Sequence, residues 1–148
     1  MKKVIVNFCL TVLMSFFLIE VKAENRLLKL TPSDYFRGLE AYKDRNFKDA
    51  FNLFKKVADQ GYADAEYKLG LMYFHGQGIL KDDKKASELF KKAADQGLAD
   101  AQYSLGVMYF KGQGVPKDYK KASELYKKAA DQGLADAQYY LGVMYIKG

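Results

Sequence analysis

The sequence predicts an all-α fold, a solenoid in which antiparallel helix pairs stack one on the next. Residues 62–97 and 98–133 have equal length and differ at only nine positions, and residues 134–148 begin a third, partial copy. A repeat of this length is typical of stacked helical arrays. Within each copy the apolar residues follow helical spacing, and a glycine-rich connector separates two helical segments. Each unit is therefore expected to bury its apolar side against its neighbours.

The first 23 residues predict an export signal that is removed from the mature protein. Lys2 and Lys3 precede an apolar stretch over residues 4–19, and the small residues before and at Ala23 suit cleavage after that position. The stretch is shorter than the roughly 20 residues that span a bilayer. We therefore expect a periplasmic or secreted protein, which contacts a membrane only through this segment if it stays uncleaved.

Composition limits the classes of function. The one cysteine, Cys9, lies within the predicted signal, so the mature chain would depend on packing rather than on disulfides for its stability. The net charge of +6 is modest and bears on solubility more than on nucleic acid. Lys91 and Lys92 follow Glu88 by three and four residues, which is the favourable order for ion pairs on a helix. We interpret such lysine pairs as a solvated face and expect no nucleic-acid partner.

Residues 24–61 are interpreted as a short leader followed by an N-terminal capping helix pair. The two helices are expected over residues 31–44 and 46–61, joined by a tight link that lacks the glycine-rich connector. The core of this pair is expected to contain Phe36, Leu39, Ala41, Tyr42, Phe47, Ala50, Phe51, Phe54 and Ala58.

The first helix of each full repeat is expected from about residue 63 to residue 75. Gly70 lies in its middle, where glycine costs about 1 kcal/mol relative to alanine. Its recurrence as Gly106 and Gly142 predicts that a neighbouring helix approaches closely at these positions. Gly76-Gln77-Gly78 then ends the helix and turns the chain, because glycine tolerates positive φ. The buried side is expected to contain Ala65, Leu69, Met72 and Tyr73.

The second helix is expected over residues 83–96, with Asp82 as its N-cap and Gly97 as its stop. Asp118 and Gly133 have the same places in the next copy. The apolar stripe of this helix contains Ala86, Leu89, Phe90, Ala93 and Ala94, and then Ala122, Leu125, Tyr126, Ala129 and Ala130 in the next copy.

This repeat resembles the Sel1-like repeat, a relative of the tetratricopeptide repeat. The shared motif is A-x-x-x-L-G-x-x-Y-x-x-G-x-G, followed by K-D-x-x-K-A and K-A-A-x-x-G, and it starts at Ala65 and again at Ala101. Residues 35–61 look more like a plain tetratricopeptide unit. The resemblance implies a right-handed α/α superhelix. A secreted bacterial subgroup carries a cysteine pair in each repeat and is sometimes linked to penicillin binding, and this chain lacks such pairs.

The residues offer little for catalysis. His75 is the only histidine of the chain, and lysine replaces it in the other copies, so neither a nucleophile–base pair nor a metal-ligand set is apparent. The sequence therefore predicts no catalytic residue, no metal and no cofactor.

A partner-binding surface is expected on the concave side of the solenoid, which the first helices line. Position 68 and its equivalents read Lys, Ser and Tyr, whereas the packing positions barely change between copies. Variation on one face fits a surface adapted to a ligand, although neutral surface drift predicts the same pattern. The candidate partner-binding residues are Lys68, Leu71, His75, Ser104, Val107, Lys111, Tyr140, Val143 and Lys147.

The leading hypothesis is an exported, non-enzymatic adaptor or scaffold that binds a protein or peptide. Two alternatives stay open, which are a penicillin-binding or hydrolase activity like that of the cysteine-bearing relatives, and a truncated remnant of a longer array. The last helix has no second helix to cover Leu141 and Tyr145, so self-association through that helix is also expected.

Overall fold

The computed structural model describes residues 32–147, and the side chains of residues 33–146. The predicted export signal over residues 1–23 and the leader that follows it lie outside these described residues. The described segment contains seven helices, which are α1 (Pro32–Lys43), α2 (Phe47–Ala58), α3 (Ala63–His75), α4 (Asp83–Asp95), α5 (Ala99–Lys111), α6 (Tyr119–Asp131) and α7 (Ala135–Lys147).

The helices form an all-α array in which neighbouring pairs share their cores. From α2 onward, each helix packs against the next one along the chain. One buried cluster joins α2 to α3, and an equivalent cluster joins α4 to α5. The predicted stacking of apolar sides between units is thus confirmed. None of the helices from α1 to α7 has both the length and the apolar character that crossing a bilayer would require.

The predicted helix starts are confirmed by their hydrogen bonds. The carboxylate of Asp82 accepts a hydrogen bond from the backbone N–H of Lys85 at 3.0 Å, and Asp118 does the same for Lys121. These bonds satisfy backbone donors that a helix start leaves unpaired. Bonding to the Lys121 backbone is also the main reason that the pKa of Asp118 is lowered.

The glycines in the middle of the first helices have the packing role that their recurrence predicts. A Cβ built on Gly70 would lie 2.7 Å from the ring of Phe90, and one on Gly106 would lie 2.8 Å from the ring of Tyr126. Both rings belong to the second helix of the same pair and are buried. Glycine therefore allows a large aromatic side chain to lie directly against the backbone of the first helix.

One residue of the predicted first core lies elsewhere. Phe36 is 59% exposed, although we expected it to meet the second helix of its pair. Tyr35 and Gly38 contact the buried ring of Phe54 instead. Leu39 packs against the buried cluster as expected. Helix α2 packs against the side of α1 that contains Tyr35 and Gly38, and Phe36 lies on a different side of α1. The apolar pattern of α1 alone does not show which side meets α2.

The Gly-Gln-Gly connectors do more than turn the chain. A Cβ on Gly114 would overlap the backbone carbonyl of Asp83 at the start of α4, in the preceding pair. Gln113 donates a hydrogen bond to the Asp83 carboxylate at 3.1 Å, and the hydroxyl of Ser87 lies 3.4 Å from the Gly114 carbonyl oxygen. The connector of one pair is therefore fastened to the second helix of the pair before it.

A buried glutamate departs from the pattern of its equivalents. Glu66 is 4% exposed and accepts a hydrogen bond from Gln96 at 2.7 Å. Gln102 occupies the same place in the next repeat, where its amide donates to the Ala94 carbonyl oxygen at 3.3 Å. An ionised carboxylate has no hydrogen to donate, so Glu66 cannot form a bond like that from Gln102 to Ala94. Burial raises the pKa of Glu66, against smaller opposing effects of Lys92 and of the Gln96 hydrogen bond.

Replacing Glu66 with glutamine is expected to stabilise the array by about 0.5–1.5 kcal/mol at neutral pH, because the amide can make the missing hydrogen bond. A carboxyl whose folded-state pKa is raised stabilises the fold at low pH, and that contribution is lost as the pH rises through the folded-state value. The gain in melting temperature for E66Q should therefore be larger at pH 7 than at pH 4. A gain that does not change with pH would contradict this account of Glu66.

Candidate protein-binding surface

The first-helix face is the surface formed by α1, α3, α5 and α7. Two of the predicted binding residues, Lys68 and Ser104, are half-buried on it, and the third of the series, Tyr140, is 37% exposed. His75 and Lys111 are exposed at the last residue of their helices. Lys147 ends α7, and its side chain is outside the described part of the structure.

Leu71 and its equivalents Val107 and Val143, which we predicted to bind a partner, have a packing role. Leu71 is half-buried and packs against the cluster that joins α4 to α5. Val107 and Val143, at the same position of the later repeats, are also half-buried. These side chains therefore support the surface more than they present themselves to a partner.

The structure adds a row of tyrosines that the sequence reasoning missed. Tyr35, Tyr67 and Tyr103, called the tyrosine row below, occupy the same position of three successive first helices. Each ring contacts the buried aromatic side chain of its own second helix, with centroid separations of 5.6 to 5.8 Å. A signal for this row was available, because each tyrosine stands three residues before a mid-helix glycine.

Each tyrosine of the row lies near an aspartate in the first turn of the following first helix. Burial raises the pKa of Tyr35 to about 12, and the nearby carboxylate of Asp64 adds to that shift. The pKa of Tyr67 is also raised, first by burial and, more weakly, by Asp100. A phenol is protonated at neutral pH with or without such a shift, so each hydroxyl keeps a hydrogen to donate.

The predicted position 68 series lies directly beside this row. Ser104 is close enough to Tyr67 for its hydroxyl to lower the phenol pKa slightly, against the larger effect of burial. The ring of Tyr140 lies 5.8 Å from the ring of Tyr103 and 5.8 Å from that of Tyr126. The variable residues of one helix and the tyrosine of the preceding helix thus form one continuous surface.

The side chains of this face can form both hydrogen bonds and apolar contacts. Phenol hydroxyls can donate to carbonyl oxygens, tyrosine rings offer flat apolar surface, and the first-turn aspartates can accept from N–H groups. Among the described side chains, no group of three or more His, Cys, Asp or Glu residues is arranged to hold a metal ion.

The outward face of α7 is apolar and open. Tyr145 and Ile146 are 71% and 87% exposed. A Cβ on Gly142 would meet no other atom within 4 Å, in contrast to its equivalents in α3 and α5. Among the described residues, no aromatic ring lies against Gly142 as Phe90 and Tyr126 lie against the earlier glycines.

Paired helices that share their cores with the neighbouring pairs define a helical-repeat protein. The sequence model of the Sel1 repeat matches residues 35–62, 63–98, 99–134 and 135–148. The chain belongs to the Sel1 repeat family, whose members are typically scaffolds for protein–protein interaction. The first matched segment corresponds to the pair α1–α2.

Solved structures with the same fold include two from bacteria. A protective antigen of uropathogenic Escherichia coli with an SLR (Sel1-like repeat) fold is 36% identical, with a TM-score of 0.78 over 83% of this chain and 27% of that chain. A Sel1 repeat protein from Oxalobacter formigenes is 33% identical, with a TM-score of 0.74 over 77% of this chain and 47% of that chain. This chain therefore spans less than half of either protein.

A mammalian protein also contains related sequence. DAP3-binding cell death enhancer 1 of Rattus norvegicus is 43% identical over 51 residues, which are 34% of this chain and 10% of that protein. The similarity is confined to a small part of a much longer protein, so it does not indicate a shared partner.

Proposed function

We propose that this protein is an exported, non-enzymatic adaptor that binds a protein or peptide segment along its first-helix face. The tyrosine row, with its neighbouring aspartates, is the observation that supports this proposal. Three protonated phenols recur at one-repeat intervals, and each has an acceptor carboxylate near it. Such a ladder can pair with the alternating carbonyl and N–H groups of an extended segment.

The variable residues beside the ladder would then select among partners. Lys68, Ser104 and Tyr140 differ in charge, size and hydrogen-bonding capacity, although their surroundings repeat. The constant phenols would supply affinity for any extended segment, and the variable side chains would supply the difference between segments.

Photo-crosslinking tests the choice of face. A photo-crosslinking amino acid placed at Ser104 is expected to capture a partner in the cells that make the protein, whereas the same group at Leu80, which is exposed in the connector between α3 and α4, is not. Replacing Tyr67 and Tyr103 with phenylalanine removes only the hydroxyls and should reduce capture at position 104 several-fold. Equal capture at positions 104 and 80, or capture that is unaffected by the phenylalanine variants, would refute the proposal.

Export through the N-terminal segment is the second element of the proposal, and the charged start and apolar stretch of residues 1–23 support it. Mass spectrometry of the protein from the extracytoplasmic fraction is expected to find Glu24 at its N-terminus. Recovery of the intact chain in the cytoplasmic fraction would contradict export.

Self-association through α7 is a further element, because two copies could cover their exposed faces by a symmetric contact. Sedimentation equilibrium is expected to detect a concentration-dependent dimer that Ile146→Lys abolishes. Leu80→Lys is the matched control, because Leu80 is equally exposed but lies in a connector. A monomer at all concentrations, or the same loss in both variants, would rule out this contact.

A further inference from the structure

Two equivalent cavities open on the second-helix side of the array, away from the tyrosine row. The first is lined by the α2 residues Lys55 and Asp59, by Tyr73 of α3, and by the α4 residues Lys85, Glu88 and Lys92. The second is lined by the residues that stand one repeat later, and every lining residue has an identical counterpart. The cavity volumes are about 260 and 290 Å³.

The floor of each cavity is apolar, and cations surround it. In the first cavity, Leu69 and Leu89 lie beside Tyr73. The ammonium group of Lys85 lies 5.3 Å from the centroid of the Tyr73 ring, and in the second cavity Lys121 lies 5.2 Å from Tyr109. Such a stacked position holds a lysine side chain over the cavity by a cation–π interaction.

The charges of the lining favour an anion. Lys55 forms an ion pair with Asp59 at 2.7 Å, which neutralises one carboxylate, and Lys91 pairs with Asp95 at 2.6 Å in the second cavity. Lys91 thus pairs with the aspartate that follows it, rather than with the preceding Glu88 that the sequence suggested. Among residues 33–146, no ion pair involves Lys92 or Lys128. The lining of each cavity contains three lysines and two carboxylates. Lys85 and Lys121 also form ion pairs beside the cavities, with Asp82 at 3.7 Å and Asp118 at 3.5 Å, so the charge offered to an anion is mainly that of Lys92 and Lys128.

We propose that each cavity binds one acidic side chain of a protein segment, so that the two cavities together recognise a segment with two acidic residues. The cavities are slightly smaller than the roughly 300–1,000 Å³ of small-molecule sites, which suits a single side chain. The carboxylate would lie between the stacked lysine and the unpaired one. The aliphatic part of the side chain would cover the leucines and exclude water, which strengthens the ion pairs.

This inference is independent of the proposed function of the first-helix face, because the two surfaces share no residue that either argument uses. Binding at the cavities would persist in the Tyr67→Phe and Tyr103→Phe variants. A scaffold with both surfaces could hold two partners at the same time.

A peptide titration tests the proposal. The probe is a fluorescein-labelled peptide of repeating Gly-Glu-Leu units, and its control carries glutamine in place of glutamate. Fluorescence anisotropy with the full chain is expected to show binding of the acidic peptide that weakens with added salt, and no comparable binding of the control. Lys85→Gln combined with Lys121→Gln should weaken binding about tenfold or more, since charge-assisted contacts are lost at both cavities.

Matched variants separate the cavities from general surface charge. Lys84→Gln with Lys120→Gln removes the same charge from the same helices outside the cavities, and less than about a twofold change is expected. Tyr73→Phe with Tyr109→Phe keeps the rings on which the two lysines are stacked, so less than about a twofold change in binding is expected. The melting temperature of the Lys85→Gln, Lys121→Gln variant should match that of the unmodified chain, which guards against misfolding.

Three results would overturn the proposal. They are equal binding of both peptides, an equal effect of the two lysine variants, and no binding of the acidic peptide. The protein could instead sediment with phosphatidylglycerol vesicles, lose this in the Lys85→Gln, Lys121→Gln variant, and bind no acidic peptide. That result would assign the cavities to a lipid surface and would also overturn the proposal.

Discussion

Replacing Gly114 with alanine is expected to destabilise the array by about 2–5 kcal/mol. The backbone of Gly114 has a φ of +69°, where alanine costs about 1–2 kcal/mol. The added Cβ would also overlap the Asp83 carbonyl, and backbone atoms cannot move aside as a flexible side chain can. Relieving that overlap requires the connector to separate from α4, at a further cost of about 1–3 kcal/mol.

Gly133→Ala is the matched control for this prediction. Gly133 has a φ of +89°, and a Cβ there would meet nothing within 4 Å. Its cost is therefore that of the backbone conformation alone, about 1–2 kcal/mol. Urea denaturation followed by circular dichroism at the helical band measures both variants. Equal free energies of unfolding for the two variants would mean that the connector is not fastened to the preceding helix pair.

Local features of the fold could be predicted from the sequence because their causes lie within a few residues. The bounds of α3, the N-caps at Asp82 and Asp118 and the apolar stripe of α4 depend on spacing and capping chemistry. The stacking of the pairs could be predicted from the repeat itself, because a helix pair with one apolar side can bury that side only against another pair.

Features that depend on the angle between pairs could not be predicted in this way. The contact of Gly114 with Asp83 and the neighbourhood of Tyr67 and Asp100 both join residues of different pairs. Helical periodicity places a side chain on a face, but it does not say which neighbour reaches that face. The recurring Tyr-x-x-Gly pattern could have located the tyrosine row, because the glycine marks where the second helix approaches.

The two surfaces of the array differ in chemistry. The first-helix face combines protonated phenols with aspartates, and the second-helix side places lysines around tyrosine rings. Position 68 beside the phenols differs in every copy, whereas the residues that line the two cavities are identical. This division is consistent with one surface adapted to a particular segment and another that repeats the same recognition twice.

The same substitution is expected to have opposite effects at Gly106 and at Gly142. Gly106→Ala places a Cβ 2.8 Å from the ring of Tyr126, which is fully buried and cannot move without disturbing the core. We expect a loss of about 1–3 kcal/mol, which exceeds the gain in helix propensity. Gly142→Ala meets no atom within 4 Å, so only the propensity gain of up to about 1 kcal/mol remains.

Gly106 and Gly142 lie at the same position of a first helix, so both substitutions change helix propensity equally. Opposite changes in stability would therefore show the effect of packing alone. Thermal denaturation at low protein concentration should show a lower melting temperature for Gly106→Ala and a higher one for Gly142→Ala. Destabilisation by both would mean that the face of α7 is covered in solution. If that loss at Gly142 grew with protein concentration, the covering surface would be a second copy, as the exposed Tyr145 and Ile146 suggest. A gain at both positions would show that Tyr126 yields to a methyl group, and would remove the packing explanation for the glycines.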